Sequence, residues 1–206
     1  MKKGDIIEFG KYPQGADGSV SPIEWLVLDI KKPSLTNRLF YGDKIEALII
    51  SRYGLDFKEY NPDHTGITWE DCNLRKWLNN DFIKSAFSEE EVKRIKVSEL
   101  KNEDNHEYQT RGGNDTKDRV FCLSVDEAKQ YFSSDKNRQC KCTDYARTRE
   151  GCVTIYDFCL WWLRSPGRGY DYASCVWWDG TILLHGGDVY WDNDAVRPAL
   201  RIVCNL

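Results

Sequence analysis

The sequence has little histidine and lacks the residue spacings that mark most metal and nucleotide sites. Only three histidines occur, His64, His106 and His185, and they are far apart in the chain. It contains no HExxH zinc motif, no GxGxxG or GxxxxGK[ST] phosphate loop and no GxSxG nucleophile turn. Metal-dependent hydrolysis, nucleotide binding and serine hydrolase chemistry are therefore unsupported. A cysteine nucleophile paired with one of the histidines remains an alternative.

The sequence also lacks an excess of positive charge and long apolar runs. The net charge is -4, without the basic excess that binding to a phosphate backbone requires, so nucleic acid is not an expected partner. The most apolar stretches, IEWLVLDI and TIYDFCLWWL, contain charges and are far shorter than the roughly 18 residues of a membrane span. The opening MKKGDIIEFG has acidic residues where a secretory signal has its apolar segment. We expect a cytoplasmic protein with no membrane span; display on a cell or phage surface through a partner is the alternative.

Cysteine, in contrast, is plentiful, with eight residues. The CKC sequence at 140–142, with Cys152 ten residues further on, resembles part of a metal cluster but lacks the paired CxxC spacing of a structural zinc site. Four others lie in apolar, strand-like runs, where a free thiol packs as a small hydrophobic group: Cys122, Cys159, Cys175 and Cys204. Reduced cysteines and no bound metal are therefore expected.

The order of the predicted elements is strands, then helices, then strands. DIIEFGKY and IEWLVLDI predict a hairpin, and EALIISRY predicts a third strand. Helices are predicted after Thr68, whose partner in a capping box would be Asp71, and after Ser88 and Ser124. Strands are predicted near 158–164, 173–178, 181–185 and 195–203. This order favours a single α+β domain over residues 1–206 rather than alternating βαβ units.

Two further patterns predict buried side chains. Apolar residues at helical spacing predict a core stripe of Trp69, Leu74, Trp77, Leu78 and Phe82. Arg164 and Arg197 each lie beside a proline-containing turn, in LRSPG and VRPAL, where five N–H donors can hold loop carbonyls. We therefore interpret these two arginines as structural.

The segment 168–194 is rich in aromatic and acidic residues. Tyrosine and tryptophan supply contact area at low entropic cost, and Asp, Asn and Arg add directional hydrogen bonds, a composition typical of binding surfaces. Because neighbouring strand residues face opposite sides, one tryptophan of each doublet, Trp161–Trp162 and Trp177–Trp178, is expected in the core. The candidate ligand-binding residues are Arg168, Tyr170, Asp171, Tyr172, Trp177, Trp178, Asp179, His185, Asp188, Tyr190, Trp191, Asp192 and Asn193. No catalytic residue is assigned.

Several motifs together resemble a Firmicutes-type bacterial domain of unknown function that is similar to C-type-lectin-fold proteins. Those relatives include the formylglycine-generating-enzyme-like group and the variable proteins of diversity-generating retroelements. The motifs, in chain order, are FGKYPQ, PIEWLVLD, LIISRYGLDFKEYN, TWEDCNLRKWLNNDFIKSAFSEEE, DRVFCLSVDEAKQYF, TDYA, WWLRSPG and VRPAL.

The resemblance implies a fold whose first and last strands pair, with two helices packed against mostly antiparallel sheets and a variable ligand-binding region near 168–194. It implies a non-catalytic module that recognises a protein or glycan surface. The alternative is an oxidase like the formylglycine-generating enzymes, or another cysteine-dependent enzyme. The lectin-type calcium site is only half represented, by WDND at 191–194, so no cofactor is expected and calcium stays an alternative.

Overall fold

A computed structural model of the protein describes residues 1–32 and 44–205. The secondary structure is α+β, with mostly antiparallel sheets and short helices. The strands are β1 (Ile6–Pro13), β2 (Val20–Lys31), β3 (Lys44–Ser51), β4 (Asp56–Phe57), β5 (Ile95–Lys96), β6 (Ser98–Leu100), β7 (Thr116–Asp118), β8 (Val120–Phe121), β9 (Cys140–Lys141), β10 (Thr154–Ile155), β11 (Phe158–Cys159), β12 (Trp161–Pro166), β13 (Tyr172–Val176), β14 (Ile182–Asp188), β15 (Ala195–Val196) and β16 (Ala199–Asn205). The helices are α1 (Asn73–Trp77), α2 (Ile83–Ala86), α3 (Glu89–Arg94), α4 (Val125–Tyr131), α5 (Asp135–Arg138) and α6 (Asp144–Arg147), and a π-helical turn, Leu78–Phe82, joins α1 to α2.

The larger sheet has the strand order β1-β2-β3-β16-β5, and β8 also pairs with β16. The predicted β1–β2 hairpin and the third strand are confirmed. The prediction that the first and last strands pair with each other is wrong, because β2 and β3 lie between them. Strand β1 exposes Glu8 and Lys11, as an edge strand does, whereas β16 has strands on both sides and buries Ala199, Leu200 and Ile202.

The second sheet has the order β14-β13-β12-β15-β4, in which only the β12–β15 pair is parallel. Both Trp161 and Trp162 on its central strand are fully buried, with Phe132 packed against the first ring and Tyr60 against the second. The expectation of one core tryptophan per doublet is therefore wrong here, because both faces of β12 are covered. It is also wrong for Trp177–Trp178, of which both are half-buried.

The chain passes from the second sheet to the first at Arg197, between β15 and β16. Its side chain is 3% exposed and donates to the Ser51 carbonyl at 3.1 Å and the Arg138 carbonyl at 3.2 Å. Its guanidinium also lies 4.9 Å from the centre of the Trp161 ring. Arg164 is equally buried and donates to the Cys122 carbonyl and to Glu127. Both arginines are structural, as predicted.

The helices pack on the larger sheet through aromatic contacts. Phe82 lies 5.3 Å from Tyr12 and Phe87 lies 5.2 Å from Phe9, measured between ring centres. The predicted stripe is buried except for Trp77, which is half-buried. The capping boxes of Ser88 with Glu91 and Ser124 with Glu127 are confirmed.

The predicted cap at Thr68 is wrong. Residues after it form a turn, and α1 begins only at Asn73, where the Cys72 sulfur accepts from the Arg75 N–H at 3.4 Å. Over residues 1–32 and 44–205, no helix is long and apolar enough to cross a membrane.

Candidate binding surface

The β13–β14 hairpin divides the predicted site residues into two groups. Tyr172 pairs with Asp188 at one end, and Val176 pairs with Ile182 near the other end, just before the turn. At about 3.3 Å per residue, Trp177 lies about 16 Å from Tyr172 along the strand, and Trp178 and Asp179 follow it in the turn. The structure therefore does not bring these three residues together with the rest of the predicted set.

The open end of the hairpin is bound to a loop from the first half of the chain. The Asn61 N–H donates to the Val189 carbonyl at 2.9 Å, and the Val189 N–H donates to the Asp171 carbonyl at 3.0 Å. The Ile67 N–H donates to the Tyr170 carbonyl at 2.9 Å. These backbone bonds give the segments 168–172 and 188–191 a fixed base, although neither segment is a regular strand throughout.

His64 lies between two of the predicted carboxylates. Its Nδ1 is 3.1 Å from Asp188 Oδ1 and its Nε2 is 3.3 Å from Asp171 Oδ2. Only the doubly protonated ring can donate to both carboxylates at once. Asp188 is 5% exposed and is thus mainly a support of the surface, contrary to the prediction that it faces a ligand.

Four large aromatic side chains are exposed at this end of the molecule. We call Tyr108, Tyr170, Tyr190 and Trp191 the aromatic surface; they are between 40% and 59% exposed. Tyr190 lies edge-on to His64 at 4.9 Å and to Trp191 at 6.3 Å, measured between ring centres. Exposed aromatic area costs free energy in water, and several such rings held on a rigid base are typical of a recognition site.

Arg168 and His185 extend this end of the hairpin. The Arg168 guanidinium lies 4.2 Å from the centre of the Tyr172 ring and donates to the Tyr172 hydroxyl at 2.7 Å. The Arg168 N–H also donates to the His185 carbonyl at 2.9 Å, and the His185 side chain is exposed. A cation stacked on an aromatic ring offers both a charge and flat apolar area to a ligand.

Asn105 attaches the loop that carries Tyr108. Its Nδ2 lies within hydrogen-bonding distance of the carbonyls of Pro166, Gly167 and Leu184, and its Oδ1 accepts from the Glu107 and Tyr108 N–H groups. Neither Asn105 nor Tyr108 was predicted as a site residue from the sequence, and His64 was given no role. A short-range pattern does not identify Asn105 or His64, because the partners that fix their side chains are 61 to 124 positions away, from Asn105 with Pro166 to His64 with Asp188.

The turn of the β13–β14 hairpin, at the end away from Tyr172 and Asp188, packs against other parts of the protein. Gly180 approaches the backbone of Asp135 so closely that a Cβ there would lie 1.8 Å from the Asp135 carbonyl oxygen. Arg138 donates to the Gly180 carbonyl, and Asp179 accepts from the Thr181 N–H within the turn. Trp178 packs against the exposed Tyr156 ring at 5.4 Å.

The second half of the WDND segment, Asn193 and Asp194, has buried side-chain atoms. Asp194 is 1% exposed, and the Oδ1 atoms of Asn193 and Asp194 are buried without a hydrogen-bond partner. Burial raises the pKa of the Asp194 carboxyl to about 7. Calcium takes six to eight oxygen ligands, and the described residues contain no group of three or more His, Cys, Asp or Glu side chains arranged for a metal ion. These two oxygens therefore do not by themselves fit a calcium site.

Asp192 is exposed and borders a cavity of about 470 Å³. The turn after α6 also lines this cavity, and its Gly151 lies directly against the Asp192 backbone. Arg149 in this turn is fixed by an ion pair with the buried Asp56, at 3.0 Å between Nε and Oδ1. Through Asp192, the cavity adjoins the open end of the hairpin.

All eight cysteines are free thiols. Burial raises the pKa of Cys72, Cys122, Cys152, Cys159 and Cys175. Burial also opposes ionisation of Cys140, but the Cys159 thiol, the Arg197 guanidinium and the Gly54 backbone outweigh it, so that the Cys140 pKa is lowered. Cys140 is 1% exposed, which leaves its sulfur without access to a substrate.

Residues 45–203 match a family described as Domain of unknown function (DUF6273). The matched segment runs from β3 to β16 and includes His64 and every predicted site residue. Comparisons with curated proteins and with solved structures find no significant match.

Proposed function

The chain belongs to the DUF6273 family, and from this premise we propose that it is a non-catalytic binding module. It recognises a protein or glycan surface through the aromatic surface, together with Arg168, Asp171 and the cavity beside Asp192. The observation that carries the proposal is the exposure of Tyr170, Tyr190 and Trp191 on segments whose backbone is hydrogen-bonded to the loop at 61–67. Rigid aromatic anchors lose little entropy on binding and dominate the energy of most interfaces.

We further propose a C-type-lectin-like arrangement for the fold. Three features support this proposal: both terminal strands lie in one sheet, the helices pack on that sheet, and long irregular segments lie at the open end of the hairpin. The tyrosines, aspartates and asparagine within 168–194 are the residue types that adenine-directed diversification produces. A retroelement variable protein of a bacterium is therefore the specific form of binding module that we propose.

A cysteine-dependent enzyme, including an oxidase like the formylglycine-generating enzymes, is the alternative. It has less support from the thiols, because a raised pKa lowers the fraction of the reactive thiolate. The one thiol whose pKa is lowered, Cys140, is buried. An enzyme would also need a polar group whose removal abolishes activity without unfolding the chain.

The test of the binding proposal is an array of immobilised glycans and peptides probed with the labelled protein. The variant Tyr170→Ser/Tyr190→Asp/Trp191→His removes three anchors. Tyr156→Asn is the matched control, because Tyr156 is 80% exposed but lies against the hairpin turn, and asparagine tolerates its positive φ of 50°. We expect the triple variant to lose the array signals of the wild type by tenfold or more, and Tyr156→Asn to keep them.

Equal signals from wild type and triple variant would contradict the proposal. The retroelement proposal has a separate test: sequencing of the genomic locus, which should contain a near-repeat of the segment coding for residues 160–200 beside a reverse transcriptase gene. A locus without that repeat would refute the retroelement proposal and leave the binding module standing.

A further inference from the structure

A second cavity, of about 310 Å³, is lined mainly by basic side chains. It lies between α1 with its π-helical turn and the segment that joins β7 to β8. Its charged residues are Arg75, Lys76, Lys117, Arg119 and the single acid Asp118. These give the cavity a formal charge of +3, in a chain whose net charge is -4. None of them belongs to the aromatic surface or lines the cavity beside Asp192.

Asp118 holds one of the four cations in place. It is 2% exposed, and its Oδ1 accepts from Arg75 Nε at 2.7 Å. Its Oδ2 accepts from Trp69 Nε1 at 3.0 Å and from the Thr116 hydroxyl at 2.8 Å. Arg75 also donates through Nη1 to the Glu70 carbonyl at 2.6 Å. Both oxygens of the only carboxylate in the cavity are therefore engaged, and this carboxylate orients Arg75.

The other three cations are available to a ligand. Lys76 and Arg119 are exposed and form no ion pair with any residue in 1–32 or 44–205. Lys117 lies 3.2 Å from Glu99, but their side chains are 72% and 82% exposed, and such an exposed pair contributes little energy in water. An anion in the cavity can therefore recruit Lys117 without breaking a strong interaction.

Asn79 joins the two walls of the cavity. Its Oδ1 accepts from the backbone N–H groups of Arg119 and Val120, at 2.9 and 3.2 Å. Its Nδ2 donates to the Val120 carbonyl at 2.9 Å and to the Arg75 carbonyl at 3.1 Å. Asn79 lies in the π-helical turn, a distortion of the helix that is frequent at functional sites. Because these bonds fix the walls in advance, a ligand has little ordering cost to overcome.

We propose that this cavity binds the phosphate group of a small phosphorylated molecule. A guanidinium such as that of Arg119 donates in pairs to phosphate oxygens, and the ammonium groups of Lys76 and Lys117 add point charges. The volume is at the lower end of the range for small-molecule sites, roughly 300 to 1,000 Å³, and so suits a compact ligand. This site is separate from the proposed recognition of a protein or glycan, and it does not depend on that function.

The test is a titration of the full ¹⁵N-labelled chain with pyrophosphate, followed by NMR at a constant ionic strength set with sodium chloride. We expect saturable shifts confined to the amides of residues 75–80 and 117–120. The variant Lys76→Gln/Arg119→Gln should weaken the affinity by about tenfold or more. Arg111→Gln/Lys136→Gln is the matched control, because it removes the same two charges from exposed positions outside the cavity. It should leave the affinity within about twofold of wild type.

The shift map of the wild type decides the question even if the double variant does not fold. The proposal is overturned if pyrophosphate causes no saturable shifts, or if the shifts lie outside the cavity. Equal weakening in the double variant and its matched control would also overturn it, because binding would then follow net charge alone. A lipid headgroup is the other source of a phosphate group. Binding to vesicles that contain phosphatidic acid, without binding to soluble pyrophosphate, would overturn the proposal of a small molecule.

Discussion

Strand β12 and the open end of the β13–β14 hairpin contain the same kinds of residue in opposite environments. Trp161, Trp162 and Arg164 are at most 3% exposed, whereas Arg168 is exposed and Trp191 is 48% exposed. The buried set lies on a central strand with aromatic residues packed on both faces, and the exposed set lies beyond the last paired residues of the hairpin. Residue type alone therefore does not show which side chains are buried in this chain. The position of a residue relative to the two sheets does show it.

The strongest expected effect is at Trp162. The substitution Trp162→Ala removes a fully buried ring and its hydrogen bond to the Lys58 carbonyl, and should lower the free energy of unfolding by about 3 to 5 kcal/mol. Urea denaturation measures this change. Trp191→Ala is the control on the exposed side and should stay within about 0.5 kcal/mol of wild type. Similar losses in both variants would remove the distinction between the two regions.

Substitution of Asp194 should raise the free energy of unfolding, whereas Trp162→Ala lowers it. Its folded pKa is raised to about 7, so between pH 4 and pH 7 the native state keeps a proton that the unfolded chain releases. Stability therefore falls as the pH rises through this window. Asp194→Asn should stabilise the protein by up to about 4 kcal/mol at pH 8 and have little effect at pH 3.5.

Unfolding curves of wild type and Asp194→Asn at the two pH values measure this difference. Asp192→Asn is the matched control, because Asp192 is an exposed acid two positions earlier. An equal gain in both variants would indicate a general charge effect rather than the cost of burying one carboxylate.

The next-largest loss of stability is expected on substitution of Arg197. Removing its side chain leaves the Ser51 and Arg138 carbonyls without one donor each and takes a guanidinium from the Trp161 and Phe132 rings. Arg197→Ala should cost about 2 to 4 kcal/mol in unfolding free energy, while Arg168→Ala should cost less than about 0.5 kcal/mol. If Arg197→Ala is as neutral as Arg168→Ala, the junction between the sheets does not depend on this side chain.

His64 should give a smaller and local effect. The ring is exposed, so its contacts with Asp171 and Asp188 contribute about 1 kcal/mol or less to global stability. His64→Ala should nevertheless speed amide hydrogen exchange of Asn61 and Val189 by about tenfold, because these groups bind the loop to the hairpin. His106→Ala, at another exposed histidine, should leave their exchange unchanged.

Local patterns predicted much of the fold. Ser88 and Ser124 cap their helices because a hydroxyl and a glutamate three residues later satisfy the first N–H groups without help from elsewhere. The pairing of β16 with β3 was not predicted, because the alternation of apolar residues does not specify a partner strand. The predicted cap at Thr68 was wrong because the helix begins later, at Asn73. Its cap is Cys72, whose sulfur accepts a backbone N–H.

The candidate site was predicted less completely. The segment 168–194 contains three of the four residues of the aromatic surface, but its composition did not distinguish the exposed open end of the hairpin from the turn, which packs against the protein. Distinguishing them depends on Asp135, Asn105 and His64, which are remote in sequence. Asn193 and Asp194 resemble exposed loop residues in the sequence, yet their unpaired oxygens face the interior.

The central claim is that the aromatic surface is exposed and does not stabilise the fold. Its most direct test is the thermal melt of Tyr170→Ser/Tyr190→Asp/Trp191→His. We expect a melting temperature within about 5 °C of wild type, because each exposed side chain contributes at most about 0.5 kcal/mol. A fall of more than about 10 °C would show that these aromatic residues stabilise the fold, and would contradict the account.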